Sequence, residues 1–223
     1  MTNFNIEIVS DTVCPWCYVG HRKLLGAIQT FQTSHPTRTD TFTTTWKPFY
    51  LDPTSPKISI DKSVRYAQKF GPGRTEAIFA RMKDVGKSVG IAFKFGGKTG
   101  NTRDSHRLIQ LGKLKGEGMQ TKVVEALFTA YFENEKDITQ KDVLVSAAVE
   151  AGLDRGEAEK WLESDDDDDG GKEVDAEVGE AQRRGISGVP HFTINGRFEI
   201  EGAQDSAAFV QLFERFVKME GQL

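Results

Sequence analysis

The chain has 223 residues, 38% of them hydrophobic and 28% charged. That suits a soluble globular protein of one large domain, or one domain carrying an insertion, and excludes a disordered or fibrous chain. Formal net charge is −4, and the run Asp165 to Asp169 is a solvated acidic loop whose removal would bring the balance from −4 to +1. Basic residues are scattered, so nucleic acid is not an expected partner. No apolar stretch is long enough to span a membrane and no basic-then-apolar leader opens the chain, so no membrane partner is expected and a cytoplasmic location is.

Phe4 to Val9 alternates as a strand, with Phe4, Ile6 and Ile8 on one face. Pro15 sits at a first helical position, where its missing N–H costs nothing, and Leu24, Ile28 and Phe31 recur at helical spacing behind it. Ser34-His35-Pro36 ends that helix. A second strand, rich in threonine, runs from Thr41 to Phe49. From Asp61 to Leu162 the pattern is helical, with amphipathic segments around Ile78 to Val89, Val123 to Tyr131 and Val143 to Ala151. Asn101-Thr102 before His106-Arg107-Leu108 reads as a capped helix start. After the acidic run, Val174, Val178 and Ala181 resume the helical period up to Gly185. Phe192 and Ile194, then Phe198 and Ile200, flank the hairpin signal Asn195-Gly196. Phe209, Leu212, Phe213, Phe216 and Val217 make a closing amphipathic helix. The order is β-α-β, a long helical block, then β-β-α. It defines an α/β protein, a thioredoxin-like domain over 1–58 and 172–223 with an inserted all-helical domain over 59–171.

The two cysteines, Cys14 and Cys17, stand at i and i+3 on a helix start that follows a strand. Two residues so close cannot staple a fold, and a pair of this kind is more often catalytic or metal-binding than structural. The unpaired N–H groups of the helix N-terminus favour a thiolate at Cys14. Cys17, one turn in, is expected to be less exposed, as suits a resolving thiol, whereas Cys14 is expected to be exposed. The alternative is half of a zinc site, but His21, His35, His106 and His191 show no ligand-pair spacing, so no metal is expected. Gly188-Val189-Pro190 leads into the strand that begins at His191, where a proline can simply punctuate. Trp16 reads as part of an exposed apolar patch around the dithiol.

Cys14-Pro15-Trp16-Cys17-Tyr18-Val19-Gly20, Trp46-Lys47-Pro48-Phe49, Asn101 to Leu108, Gly185 to Gly196 and Gly202-Ala203-Gln204 resemble the DsbA-like thioredoxin family. The nearest branch is FrnE-like, related to 2-hydroxychromene-2-carboxylate isomerases and kappa-class glutathione transferases. The resemblance covers nearly the whole chain. It implies a thioredoxin fold with inserted helices, dithiol–disulfide exchange through Cys14 and Cys17, and a cis Val189–Pro190 bond packed beside the sulfurs, where the Val189 backbone can pair with substrate. Pro15, Trp16, Val189 and Pro190 are the implied substrate-binding residues. The isomerase and transferase branches usually carry serine where Cys14 stands, which favours redox chemistry here. Trp16 replaces the histidine of the periplasmic oxidants and so removes one cationic stabiliser of the thiolate.

Asp11, three residues before Cys14, could accept a proton from Cys17 through a water, or serve only as a turn or cap residue. His106 could line the cleft or pack a helix, and Asn101 and Arg107 are comparable cleft candidates. His191 and Phe192 alternate, so they should face opposite sides of the sheet. The expected function is a thiol–disulfide oxidoreductase acting on protein or low-molecular-weight thiols and disulfides, with no resident cofactor and glutathione as at most a co-substrate. The alternatives are a glutathione-dependent isomerase or transferase and a redox-sensing, chaperone-like binding module. The sequence fixes no oligomeric state.

Overall fold

The computed structural model describes residues 1–116, 118–163 and 169–220; four of the five residues of the acidic run lie outside them. Strand β1 (Asn3–Ser10) lies parallel to β2 (Thr41–Pro48) and antiparallel to β5 (His191–Ile194), which pairs antiparallel with β6 (Phe198–Glu201). The sheet order is therefore β2-β1-β5-β6. Helix α1 (Pro15–Ser34) carries the chain from β1 back to β2, the crossover that a parallel pair requires. Asn195 and Gly196 take φ of 51° and 64° and close the β5–β6 hairpin, the left-handed turn for which Asn-Gly is suited.

The alternation in β1 puts Phe4, Ile6 and Ile8 on one face, under α1 and α9 (Ser206–Glu220). Phe4 stacks on Phe42 with ring centroids 4.8 Å apart, and Phe213 stands 4.9 Å from Phe4, 5.6 Å from Phe31 and 5.2 Å from Phe42. The opposite phase of the strand sends Val9 into a smaller cluster with Phe49, Ala181 and Ile186. Ala181 belongs to α8 (Gly171–Arg183), so helices cover both faces.

The middle of the chain is helical: α2 (Lys62–Phe70), α3 (Pro72–Ser88), α4 (Arg103–Leu114), α5 (Met119–Phe128), α6 (Lys141–Ala151) and α7 (Arg155–Glu163). Helix α5 runs on into a wider π turn, Thr129–Glu133. A two-residue ladder joins β3 (Ile60–Asp61) to β4 (Lys98–Thr99) within this block, too short for its alternation to show in the sequence. Two contacts fix the block to the sheet and to α1. Gln120 of α5 pairs with the free edge of β2, its Oε1 accepting from Trp46 N at 3.0 Å and its Nε2 donating to Trp46 O at 3.0 Å; this occupies the outward backbone groups of one residue on that edge. Tyr18 of α1 donates its hydroxyl to Glu133 Oε1 at 2.7 Å.

Glu177 of α8 gathers three donors, Lys47 Nζ at 2.5 Å, Gln110 Nε2 at 2.6 Å and Lys113 Nζ at 2.9 Å, and so ties β2, α4 and α8 together. Burial works against its charge, yet the two ammonium groups hold its carboxyl below the usual range. A carboxyl lowered in the folded state contributes stability above its unfolded value of about 4.3 and loses it as pH falls through the folded value. Glu177→Gln is therefore expected to cost about 2 kcal/mol at neutral pH, the scale of charge-assisted hydrogen bonds, in urea denaturation. The cost should begin to shrink as pH falls below about 4.3 and disappear only below the lowered folded value, where both proteins are neutral at this position. An equal cost at neutral and acidic pH would mean that shape rather than charge is lost.

Candidate active site

The turn between β1 and α1 sets the dithiol. Cys14 N donates to Asp11 O at 3.0 Å, and Cys14, in extended backbone (φ −90°, ψ 109°), caps the helix that Pro15 begins. Its Sγ accepts from Cys17 N at 3.4 Å, so the sulfur takes the place of the usual capping oxygen and meets the positive end of α1. On its other side Sγ lies 3.6 Å from Val189 O, oriented for the thiol to donate. Both cysteines are free thiols.

Cys17 is fully buried. Burial pushes its thiol well above the ordinary range, its hydrogen bond with Cys14 and the charge there push it further, and the Ser10 hydroxyl and Asp11 backbone only partly offset this. Cys17 thus waits as a neutral thiol behind Cys14. Gly20 lets α1 lie against the loop that carries Pro190: a Cβ there would stand 3.0 Å from Pro190 Cγ and 3.0 Å from Phe192 Cζ. The Val189–Pro190 bond is cis.

Cys14 opens on a cavity of about 270 Å³. Asp11, Val13, Pro15, Trp16 and Val189 also line it, whereas Cys17, Pro190, Asn101, His106 and Arg107 do not. Two expectations are corrected. Cys14 is only 3% exposed, because Val189 and the helical block stand over it. Trp16 is not an open patch; it is half-buried in the cavity wall, with the Arg81 guanidinium of α3 5.9 Å from its ring centroid.

The Asp11 carboxylate holds the loops under the site. Oδ2 accepts from Leu51 N at 2.8 Å, and Oδ1 lies 3.5 Å from both Val13 N and His106 Nε2. His106, also buried, approaches Phe49 O at 3.2 Å through the same nitrogen; a carbonyl can only accept, so Nε2 carries the proton. Asp11 and His106 therefore form a buried pair behind the dithiol that joins β1, the end of β2 and α4. Asn101 turns inward on its own chain, its Oδ1 accepting from Arg103 N at 2.9 Å to start α4. Arg107 faces away from the cavity and bonds Trp161 O, Asp169 O and Asp104. His191 is buried on the face opposite Phe192, 3.8 Å from Glu199, while Phe192 packs on Phe209.

Residues of α2 and α3 escaped the sequence reading. Arg65, Tyr66, Lys69 and Phe70 of α2, and Ile78 and Met82 of α3, form one wall, with Thr99 and Tyr131 behind. Tyr66 and Phe70, like Ile78 and Met82, stand at i and i+4, and that spacing shows a helix face without showing what it covers.

With this geometry the comparisons agree. Residues 5–214 match the family model of the DSBA-like thioredoxin domain, and the chain belongs to that family. A probable DsbA oxidoreductase of Streptomyces coelicolor superposes with a TM-score of 0.83 at 28% identity, over 95% of this chain and 89% of that one. The cytosolic disulfide reductase DsbM of Pseudomonas aeruginosa, solved also with GSH, gives 0.60 at 14% identity over 98% of each chain. A 2-hydroxychromene-2-carboxylate isomerase gives 0.65 at 12% over 98% of each. The last two likenesses concern the fold. No curated protein sequence matches. Among the described residues no helix is long and apolar enough to cross a membrane.

The asymmetry of the two sulfurs is measurable. In the reduced native protein, iodoacetamide is expected to label Cys14 well before Cys17, because Cys14 borders the cavity and the helix N-terminus while Cys17 is sealed and neutral. Peptide mass analysis over a time course reads the order, and equal labelling would remove the assignment of roles.

Proposed function

We propose that this chain is a thiol–disulfide oxidoreductase working through Cys14 and Cys17. The observation that carries the reading is the pairing of a capping, cavity-facing sulfur with a sealed thiol that burial, and then its contact with Cys14, keeps protonated. Cys14 attacks a substrate disulfide and forms a mixed disulfide. The mixed disulfide carries no charge at Cys14, so one of the contributions that hold the Cys17 proton is gone, and Cys17 gives up its proton as it attacks Cys14 to expel the second substrate thiol. Pro15, Trp16 and Val189 shape the place where substrate sulfur meets Cys14, and Pro190, packed beside Gly20, holds the loop that carries Val189. Asp11 and His106 position the turn beneath it. Membership of the DsbA-like family supports the reaction class.

No resident cofactor is needed, since the dithiol carries both electrons; glutathione enters as a co-substrate, a view supported by the GSH-bound relative in fold. The cytoplasm is the proposed compartment, as for the Pseudomonas reductase of the same fold. Substrates are protein or low-molecular-weight thiols and disulfides.

Equilibration with glutathione redox buffers tests the proposal. The expected result is a two-electron transition between dithiol and Cys14–Cys17 disulfide, in which 30 mV corresponds to about 1.4 kcal/mol. An end point that stays a Cys14–glutathione mixed disulfide, with efficient chromene-carboxylate isomerisation by wild type and Cys17→Ser alike, would replace it with the isomerase reading.

A further inference from the structure

The walls of the cavity, with the depth at which Cys14 lies, bear on what can reach the sulfur. Cys14 is almost wholly covered, and the space in front of it holds about 270 Å³, just below the range of small-molecule sites, which span roughly 300–1,000 Å³. A disulfide within a folded protein brings two chains to the attacked sulfur, whereas side chains of α2 and α3 line the approach to Cys14 and narrow it. The lining is apolar along Trp16, Leu51, Phe70, Ile78 and Met82. Its charges are unevenly placed. Asp11 is buried at the floor and engaged by Leu51 N and His106. At the α2 side Asp52 is paired with Arg65 and also feels the charge of Lys69, an exposed residue, so two cations face one carboxylate and this end of the lining keeps one net positive charge.

We infer that the cavity selects a small amphipathic disulfide, with an apolar or aromatic body lying between Trp16 and the α2–α3 wall and one carboxylate directed at Lys69. The inference rests on the dithiol reading above and narrows its substrate class. The chemistry balances within one turnover. The Cys14 thiolate attacks one substrate sulfur and releases the other half as a thiolate, which takes a proton from water. Cys17 loses its proton as it attacks Cys14, and the expelled second thiolate takes one up. The protein dithiol is oxidised by two electrons to a disulfide, and the substrate is reduced to two thiols. A second low-molecular-weight dithiol, or two equivalents of a monothiol such as glutathione, restores the reduced protein.

The test is single-turnover mixing of the reduced full chain with three disulfides: anionic dithiobis(nitrobenzoate), neutral dithiodipyridine and insulin. Each rate is divided by the rate at which dithiothreitol reduces the same disulfide, so that intrinsic reactivity cancels. The expected order is anionic aryl, then neutral aryl, with insulin slowest. Lys69→Met should lower the anionic-to-neutral ratio about threefold, and Lys69→Glu about tenfold, the scale of one partly screened charge pair lost or reversed. Because Lys69 is exposed on α2, these variants should fold as the parent does. A normalised insulin rate matching the aryl rates, or a ratio unmoved by Lys69→Glu, overturns the selection while leaving the dithiol chemistry standing. If none of the three converts the protein to its Cys14–Cys17 disulfide by mass, the dithiol reading itself fails.

Discussion

Cys14→Ser is expected to lower disulfide exchange by roughly a thousandfold or more, to the background of buffer thiols, the scale seen when an enzyme loses its nucleophile. Serine can still cap α1, since its hydroxyl accepts from Cys17 N as the sulfur does, so helix and fold should survive. What is lost is the thiol that lines the cavity, since Cys17 does not. Cys17→Ser should act differently. Cys14 can still attack, but no thiol remains to release the product, so the protein should accumulate as a mixed disulfide with substrate or glutathione, visible by mass. Substantial exchange by Cys14→Ser would mean that Cys17 is reached by another route and that the roles are reversed.

Much of this architecture is legible in the sequence because it rests on local rules. The alternation of Phe4, Ile6 and Ile8 marks β1, Pro15 marks the start of α1, and Asn195-Gly196 marks the β5–β6 turn, each dictated by residues within a few positions. Cys14 and Cys17 are legible for the same reason, since their motif lies on a local turn, whereas Val189 is legible only through the family resemblance. The environment of the sulfurs is not. Lys69 and Tyr66 reach the cavity only because α2 folds back over a turn some fifty residues earlier in the chain, and nothing in the helical period of α2 names that partner. The burial of Cys14 has the same origin: its own segment leaves it at an open helix end, and the cover comes from elsewhere.

Arg107 shows how a motif residue can be assigned the wrong task. Its block suggests the cleft, yet the side chain is 1% exposed and clamps the far end of the helical block. Nη2 donates to Trp161 O at 2.9 Å, Nε to Asp169 O at 3.0 Å and Nη1 to Asp104 Oδ1 at 3.0 Å, while Trp161 Nε1 returns a bond to Arg107 O at 2.9 Å. One guanidinium thus satisfies the last turn of α7 and the approach to α8. Arg107→Met keeps most of the apolar stem and removes every donor, leaving two carbonyls to find new partners. We expect a loss of about 3 kcal/mol in urea denaturation, the sum of two or so charge-assisted hydrogen bonds. Arg107→Lys should recover at most about half of it, because one ammonium cannot reach acceptors arranged for a planar fork. At temperatures where both proteins are folded, the rate at which Cys14 exchanges with small disulfides should match that of the parent, since Arg107 lines no part of the cavity. A variant that keeps its stability and slows exchange would return Arg107 to the cleft.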